Sequence, residues 1–224
     1  GARAMTKLAT SKPDGSVLVE AVGRHVLTAN KLHADDTPVP VLCPGRGTTK
    51  TGRLWTYVRD DRPAASTEPP AVLFRYSPDR KGERPRRHLA SFSGVLQADG
   101  YAGFDRLYGE TVQEAACWAH VRRKFYDLHV AQASPLAEAA LARIGELYAI
   151  EAEIRGNSAE QRLASRRTRS AALMAALKAR LTEMVGQIFS QSKLAEAINY
   201  ALNHWDGLTQ FLRDGRVEID SNTV

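Results

Sequence analysis

The fold is decided by residues 94–104, which read GVLQADGYAGF. Val95, Leu96 and Ala98 form a short apolar run between two glycines, which is typical of a buried strand. Asp99 follows directly at the end of this run. In open α/β sheets, ligands and metals bind beyond the carboxyl ends of the strands, because side chains there project into a crevice. Asp99 is therefore predicted to be a functional carboxylate at a sheet edge.

The composition indicates a globular chain with enough apolar material for a sizeable core. Its 224 residues are 43% hydrophobic and 25% charged, which suits one domain or one domain with a large insertion. No stretch approaches the roughly 18 apolar residues of a membrane span, so no membrane partner is predicted. Cys43 and Cys117 are too few for a disulfide framework, so we expect a cytoplasmic protein. The net charge of +6 favours a polyanionic partner as much as it favours simple solubility.

The first half of the chain is predicted to be rich in strands. Helical periodicity covers 16–31, and two prolines confine the extended segment 32–42 to a sheet edge or a bulge. A basic glycine-rich loop over 44–52 precedes strands at 54–58 and 71–76, which together suggest a meander. The basic window 79–88 is interpreted as a loop, either solvated or in contact with phosphates. Further strands are predicted at 95–98 and 115–119.

The second half is predicted to be a helical block over 130–213. Ser134 and Pro135 start one helix, and Ser158 with Gln161 forms a capping-box pattern that starts a longer one through position 188. A third helix is expected over 195–212. Arginines at 162, 166, 167 and 169 charge the middle helix, and we interpret them chiefly as a solvated face.

Six phrases of the sequence resemble the transposase of the insertion sequence 66 family. They occur in that family's order from about Val17 to the last residue, and they are His33–Thr37, Thr51–Pro63, Phe74–Arg80, Leu96–Tyr101, Cys117–Phe125 and Asp214–Asn222. The resemblance implies an α/β fold, a ribonuclease-H-like mixed sheet with a large helical insertion. The expected divisions are an amino-terminal segment and helix (1–31), the core (32–129), the insertion (130–213) and the start of a truncated catalytic segment (214–224).

The resemblance also implies a triad of two aspartates and one glutamate that holds Mg²⁺, with Mn²⁺ as a substitute. Asp35 and Asp99 match the first two catalytic and metal-binding positions. Mg²⁺ prefers hard oxygen ligands, which makes carboxylates suitable. Asp36 is the weaker candidate, because adjacent side chains of an extended segment point to opposite faces.

The third carboxylate of the family pattern is missing from this sequence. In the family it is a glutamate followed by arginine, just after a turn that corresponds to residues 220–222. Here only Thr223 and Val224 follow that turn. Glu218 and Asp220 precede the turn and are disfavoured as replacements. We therefore expect a partial transposase that is inactive on its own.

The implied partner is DNA, both transposon ends and target, and the resemblance leaves homo-oligomerisation open. Contacts to phosphates are expected from two basic segments: Arg80, Lys81, Arg84, Arg86 and Arg87 in the first, and His120, Arg122, Arg123 and Lys124 in the second. Cys117 and His120 alone are too few ligands for a zinc site.

Three functions follow from this sequence. The first is the catalytic domain of a transposase with a DDE triad, performing Mg²⁺-dependent DNA cleavage and strand transfer. The second is a non-catalytic remnant that binds DNA or dimerises. The third is a nuclease acting on RNA, because fold alone does not fix function. The six phrases favour the first.

Overall fold

A computed structural model describes residues 15–45 and 47–221. Its centre is a five-stranded sheet with the order β3-β2-β1-β4-β5. The strands are β1 (Lys31–Cys43), β2 (Thr48–Arg59), β3 (Ala71–Ser77), β4 (Gly94–Ala98) and β5 (Val112–Ala115). β1, β2 and β3 form an antiparallel meander, whereas β4 pairs in parallel with both β1 and β5. The predicted α/β class with a mixed sheet is confirmed.

Eight α-helices surround the sheet in the described part of the chain. They are α1 (Ser16–Leu27), α2 (Glu83–His88), α3 (Trp118–Gln132), α4 (Pro135–Ile154), α5 (Ala159–Ser165), α6 (Ala171–Val185), α7 (Lys193–Asn203) and α8 (Trp205–Leu208). A π-helical turn, Arg166–Ser170, joins α5 to α6. None of the described helices has the length and apolar character needed to cross a membrane.

The two faces of the sheet carry different cores. One face buries Leu32, Trp55 and Leu96 in a cluster that also includes Val26 of α1. The other face is covered over β4, β5 and the start of β1, where Lys31 and His33 are fully buried. Val95 and Ala115 on this face join a second cluster with residues of α3, α4, α6, α7 and α8. The helical block therefore packs against one half of one face.

The remaining half of that second face is open. Val72, Phe74 and Tyr76 of the edge strand β3 are 42%, 56% and 51% exposed. Phe74 pairs with Thr56, which in turn pairs with Asp35 of β1. Directly paired residues share a face, so Asp35 lies on this open side. The face that carries Asp35 is accessible to a large partner.

β1 is a central strand for part of its length, whereas the prolines predicted an edge or bulged strand. Its pairing with β4 runs from Lys31 to Ala34, and the rest of β1 pairs only with β2. Pro38 and Pro40 lie in this second part, where one side of the strand has no partner. A missing N–H is tolerated on such an unpaired side.

The strand predicted at 115–119 is wrong. β5 ends at Ala115, and α3 begins at Trp118 with Cys117 as its N-terminal cap residue. The Trp118 amide donates to the Ile219 carbonyl oxygen at 3.1 Å and its indole donates to the Leu208 carbonyl oxygen at 2.9 Å. These distant partners fix the start of the helix, and an apolar run alone does not reveal them.

Both predicted helix caps are confirmed. The Ser134 hydroxyl accepts from the Ala137 amide, and Ser158 and Gln161 form a capping box. The helix that Ser158 starts is not continuous to 188, because the π-helical turn interrupts it and α6 ends at Val185. The helix predicted over 195–212 is likewise divided, into α7, α8 and a 3₁₀ turn at Gln210–Leu212.

Two of the arginines assigned to a solvated face are buried. Arg162 and Arg166 are 1% and 0% exposed, whereas Arg167 and Arg169 are exposed. Arg166 forms two hydrogen bonds with the Glu151 carboxylate, at 2.6 and 2.8 Å. It also donates to main-chain carbonyls of Phe211, Asp214 and Val217. The buried guanidinium of Arg166 is stable because the Glu151 carboxylate balances its charge and the carbonyl oxygens accept its remaining hydrogen bonds.

Two other segments differ from the predicted loops. β2 begins at Thr48, so most of the predicted 44–52 loop is strand, and α1 ends at Leu27 instead of 31. The basic window 79–88 contains α2, whose first turn carries Glu83. A carboxylate in the first turn and basic residues in the last turn both complement the helix dipole.

Candidate active site

Asp35 and Asp99 lie side by side at the carboxyl end of β4. β1 and β4 run in parallel and pair Ala34 with Ala98, so the next residue on each strand is one of these aspartates. Both side chains are partly buried at the border between the covered and open halves of the sheet face. The register thus brings together two carboxylates that are 64 residues apart in the sequence.

The two carboxylates influence each other electrostatically. Burial raises the pKa of Asp35, the Asp36 amide that donates to Asp35 at 2.8 Å lowers it, and the charge of Asp99 raises it again. Like charges at close range disfavour double ionisation. A cation placed between them would relieve this repulsion.

Asp36 points to the opposite face and is held by two arginines. Its carboxylate, 1% exposed, lies 3.0 Å from Arg53 Nη1 and 2.7 Å from Arg80 Nη2. The alternation predicted from the extended backbone is therefore observed. With both oxygens engaged, Asp36 serves as a structural ion-pair partner.

Arg80, one of the residues expected to contact DNA, is engaged within the protein. Besides Asp36, it lies 3.8 Å from Asp99 Oδ2 and 3.9 Å from the centre of the Tyr101 ring. The Tyr101 hydroxyl also donates to the Arg80 carbonyl oxygen. Arg80 thus bridges Asp36 to the turn that carries Asp99.

Among the other basic residues of the first segment, Arg84 forms an ion pair and the remaining side chains are exposed to solvent. Arg84 forms two hydrogen bonds of 3.0 Å with Asp79, and this arginine holds the pKa of Asp79 down to about 2. Lys81, Arg86 and Arg87 are exposed on or beside α2. These three remain available for contacts to phosphate.

The second basic segment forms the first turns of α3. His120 is partly buried, and Arg122 and Arg123 are exposed. The two arginines line a cavity of about 510 Å³ together with Tyr126, Tyr148 and Asp220. Two guanidinium groups at the wall of a cavity suit an anionic group such as a phosphate.

Cys117 and His120 lie together, but the structure offers them no further metal ligand. Burial opposes ionisation of the Cys117 thiol, and His120 together with the Ser221 amide overcomes this and lowers its pKa. Contact with Cys117 raises the pKa of His120 against burial, and the charge of Asp99 adds to the rise. In the described residues no group of three or more His, Cys, Asp or Glu side chains could hold a metal.

Glu218 and Asp220 each contact a residue of the helical block, and among the described residues neither completes a group of three metal ligands. Glu218 Oε1 lies 2.7 Å from Nη1 of the buried Arg162. Asp220 accepts a hydrogen bond of 3.0 Å from the Tyr148 hydroxyl. Both contacts are to residues of the helical block, so neither carboxylate joins Asp35 and Asp99 here.

The residues present fit a hard divalent cation only in part. Asp35 and Asp99 supply carboxylate oxygens on adjacent strands, and Mg²⁺ typically takes one or two carboxylates together with water and substrate phosphate. The placement of the two carboxylates on adjacent parallel strands is the observation that favours a cation. Asp35 and Asp99 would hold the metal, and a third carboxylate would come from outside the described residues.

Sequence reasoning missed a contribution of the helical block to this site. Tyr200 and His204, at the end of α7, lie against the turn at Gly100. Lys124 Nζ lies 4.6 Å from the centre of the Tyr200 ring. The sequence signal for this contact is weak, because it consists only of a glycine that directly follows Asp99.

Comparison with known proteins gives the family. The model of the family described as "Transposase IS66 family" matches residues 10–224. This chain belongs to the IS66 transposase family. No solved structure matches it.

Similar proteins come from Sinorhizobium fredii (strain NBRC 101917 / NGR234). "Uncharacterized protein y4qI" is 42% identical over 216 residues, which are 93% of this chain and 40% of that protein. "Uncharacterized protein y4jD" is 45% identical over 201 residues, covering 87% of this chain and 39% of that protein. The chain therefore spans about two fifths of the length of these curated relatives.

Proposed function

We propose that this chain is the catalytic core of a DDE-type transposase that cleaves and joins DNA with divalent metal ions. The observation that carries the proposal is the pairing of Ala34 with Ala98, which sets Asp35 beside Asp99. The strand order, an antiparallel meander followed by two parallel strands, supports a ribonuclease-H-like sheet. The family membership supports transposition as the process.

The chemistry requires both acids to face a nucleic-acid strand. Bound Mg²⁺ ions stabilise the attacking and leaving oxygens of an in-line displacement at phosphorus. Asp35 and Asp99 would hold and orient the ions, and their partial exposure beside the open sheet face leaves room for a DNA strand. The ion pairs of Asp36 with Arg53 and Arg80 hold β1 in place just beyond its pairing with β4, so that Asp35 is preorganised.

DNA is proposed to approach along the basic surface around the acids. Arg122 and Arg123 lie on α3 beside the cavity that Asp220 also lines, and Lys81, Arg86 and Arg87 lie near α2. Contacts of this kind bind phosphates without regard to sequence and depend on salt. His120 faces the Asp99 side of α3 and would orient the scissile group.

A DNA cleavage assay tests the proposal. The substrate is a labelled duplex carrying the element's ends, with Mg²⁺ or Mn²⁺, and the enzymes are this chain and a full-length family version of it. We expect cleavage by the full-length protein, loss of cleavage in Asp99→Ala, and no cleavage by the 224-residue chain, whose Glu218 and Asp220 are engaged elsewhere. Cleavage by full-length Asp99→Ala at the wild-type rate would overturn the proposal.

The same assay separates the other functions. Salt-dependent DNA binding without cleavage by the full-length protein would indicate a DNA-binding remnant. Cleavage of RNA with no action on DNA would indicate a ribonuclease. Cleavage by the short chain above the Asp99→Ala blank would show that another group completes the site.

A further inference from the structure

The turn that carries Asp99 is contacted by the helical block. A β-carbon built on Gly100 would lie 2.7 Å from the Tyr200 hydroxyl oxygen and 3.4 Å from His204 Nε2. Gly100 does not have a positive φ angle. Glycine is thus needed here for the close approach of a side chain from α7, and not for a left-handed backbone.

The Tyr200 ring is itself held in place. Its centre lies 4.7 Å from that of the His204 ring, and Lys124 Nζ lies over it. His204 Nδ1 in turn lies 3.2 Å from the Glu114 carboxylate of β5. A continuous set of contacts therefore links β5, α7 and the turn after β4.

The turn that carries Asp99 is also contacted from the opposite side, where Arg80 Nη2 lies 3.8 Å from Asp99 Oδ2 and the Tyr101 hydroxyl donates to the Arg80 carbonyl oxygen. The Tyr101 amide lies 2.8 Å from the Asp99 carbonyl oxygen and 3.3 Å from its Oδ1, so these contacts are internal to the turn. The Tyr200 hydroxyl packs directly against Gly100, from the side on which a β-carbon would stand. The Asp99 side chain is 28% exposed, so packing alone does not fix it.

We propose that Tyr200 is a positioning residue for Asp99: its hydroxyl packs against Gly100 and thereby sets the carboxylate where it would hold the metal. The inference rests on the metal-binding role proposed above for Asp99. It gives the helical insertion a part in the chemistry, because α7 lies inside the insertion. Groups that orient a metal ligand in this way typically change metal affinity by about 10–100-fold when they are removed.

The test uses Tyr200→Phe in the 224-residue chain, with Tyr148→Phe as the matched control. Each substitution removes one hydroxyl of the helical block: the Tyr200 hydroxyl packs against Gly100, and the Tyr148 hydroxyl donates to Asp220. Three quantities are measured: the exchange rate of the Gly100 amide by NMR, the Kd for Mn²⁺ by calorimetry, and the melting temperature. Asp99→Asn serves as the blank for metal binding.

The expected result is selective for Tyr200. In Tyr200→Phe, the Gly100 amide exchanges at least about 10-fold faster and the Kd for Mn²⁺ rises about 10-fold. In Tyr148→Phe, both quantities stay at wild-type values, and the two variants melt at similar temperatures. Unchanged Gly100 exchange in Tyr200→Phe would overturn the inference, as would equal effects in both variants.

Failure of this inference can be distinguished from failure of the proposed function. If Asp99→Asn abolishes Mn²⁺ binding while Tyr200→Phe binds normally, only the positioning role is overturned. If Asp99→Asn binds Mn²⁺ as the wild type does, the metal site itself is overturned and the positioning role falls with it.

A second pair of variants tests the contact between Gly100 and Tyr200 independently, through the melting temperature. Gly100→Ala places a methyl group 2.7 Å from the Tyr200 hydroxyl and should lower the melting temperature. Adding Tyr200→Phe removes the clashing oxygen, so the double variant should melt above Gly100→Ala. A double variant that melts below both single variants would contradict the contact.

Discussion

Gln97 and Glu218 exchange two hydrogen bonds although 121 residues separate them. The Gln97 side-chain amide donates to the Glu218 carbonyl oxygen at 2.7 Å, and its Oε1 accepts from the Glu218 amide at 3.3 Å. Gln97 lies in β4, two residues before Asp99. The pair therefore returns the chain that leaves the helical block to the sheet, next to the acid pair.

Replacing Gln97 with leucine should destabilise the protein markedly. The side chain is fully buried, so leucine would leave the main-chain groups of Glu218 without partners. Buried groups left in this way cost about 1–3 kcal/mol. Urea unfolding measures the free energy of unfolding, with the exposed Gln191→Leu as the control. A loss for Gln97→Leu no larger than that of the control would contradict the role of this pair.

Arg166→Met should cost more than any exposed arginine variant. It leaves the carboxylate of Glu151 buried with a weaker partner and frees three main-chain carbonyls. Breaking a buried ion pair by removing one partner costs about 3–5 kcal/mol. The adjacent, exposed Arg167→Met should change the free energy of unfolding by less than about 0.5 kcal/mol. Similar losses in the two variants would show that the buried network is unimportant.

His88 should make the protein less stable in acid. Burial, followed by the charges of Arg75, Arg84 and Arg87, lowers the pKa of His88 to about 4 from its ordinary 6.5. Because the unfolded chain then binds the proton more readily, stability from this group is present above pH 6.5 and declines as the pH falls towards 4.

His88→Asn removes this titration while keeping an acceptor for the Tyr57 hydroxyl, which lies 3.0 Å from His88 Nδ1. Unfolding free energies between pH 7 and pH 4 should fall less steeply in this variant than in the wild type. His204 should have the opposite effect on stability. Its hydrogen bond to Glu114 raises the pKa of His204, so the stability that this pair contributes is lost as the pH rises. Parallel profiles for wild type and His88→Asn would refute the assignment.

DNA binding should depend on Arg122 and Arg123. Each phosphate contact contributes about 0.9 to the slope of log affinity against log salt concentration, so the double alanine variant should lose about 2 from that slope. The charge-matched control is Arg24→Ala with Arg167→Ala, two exposed arginines outside the α3 surface. Fluorescence anisotropy at several salt concentrations gives the slopes. If the control variant lost as much of the salt slope, Arg122 and Arg123 of α3 would not be specific contacts to DNA.

The sequence predicts the parts of this protein that depend on local pattern. Alternating and apolar runs locate β3 and β4, and the capping chemistry of Ser134 and Ser158 locates the starts of α4 and α5. The family resemblance predicts Asp35 and Asp99 as the two acids, and the strand register places them next to each other.

Features that depend on distant partners are not predicted. Trp118 starts a helix because Ile219 and Leu208 supply acceptors roughly a hundred residues away. Arg166 is buried because Glu151 and three carbonyls surround it, although its sequence context is that of an exposed basic helix. Tyr200 reaches Gly100 only through the packing of α7 on α3, which no local pattern encodes.

The proposed function requires that Asp35 and Asp99 jointly hold a divalent metal ion. Anomalous diffraction from crystals soaked in Mn²⁺ tests it most directly, using wild type and Asp99→Asn. We expect an anomalous peak within coordination distance of both carboxylates in the wild type, and no such peak in the variant. Mn²⁺ bound at another set of side chains, or a peak that persists in Asp99→Asn, would contradict it.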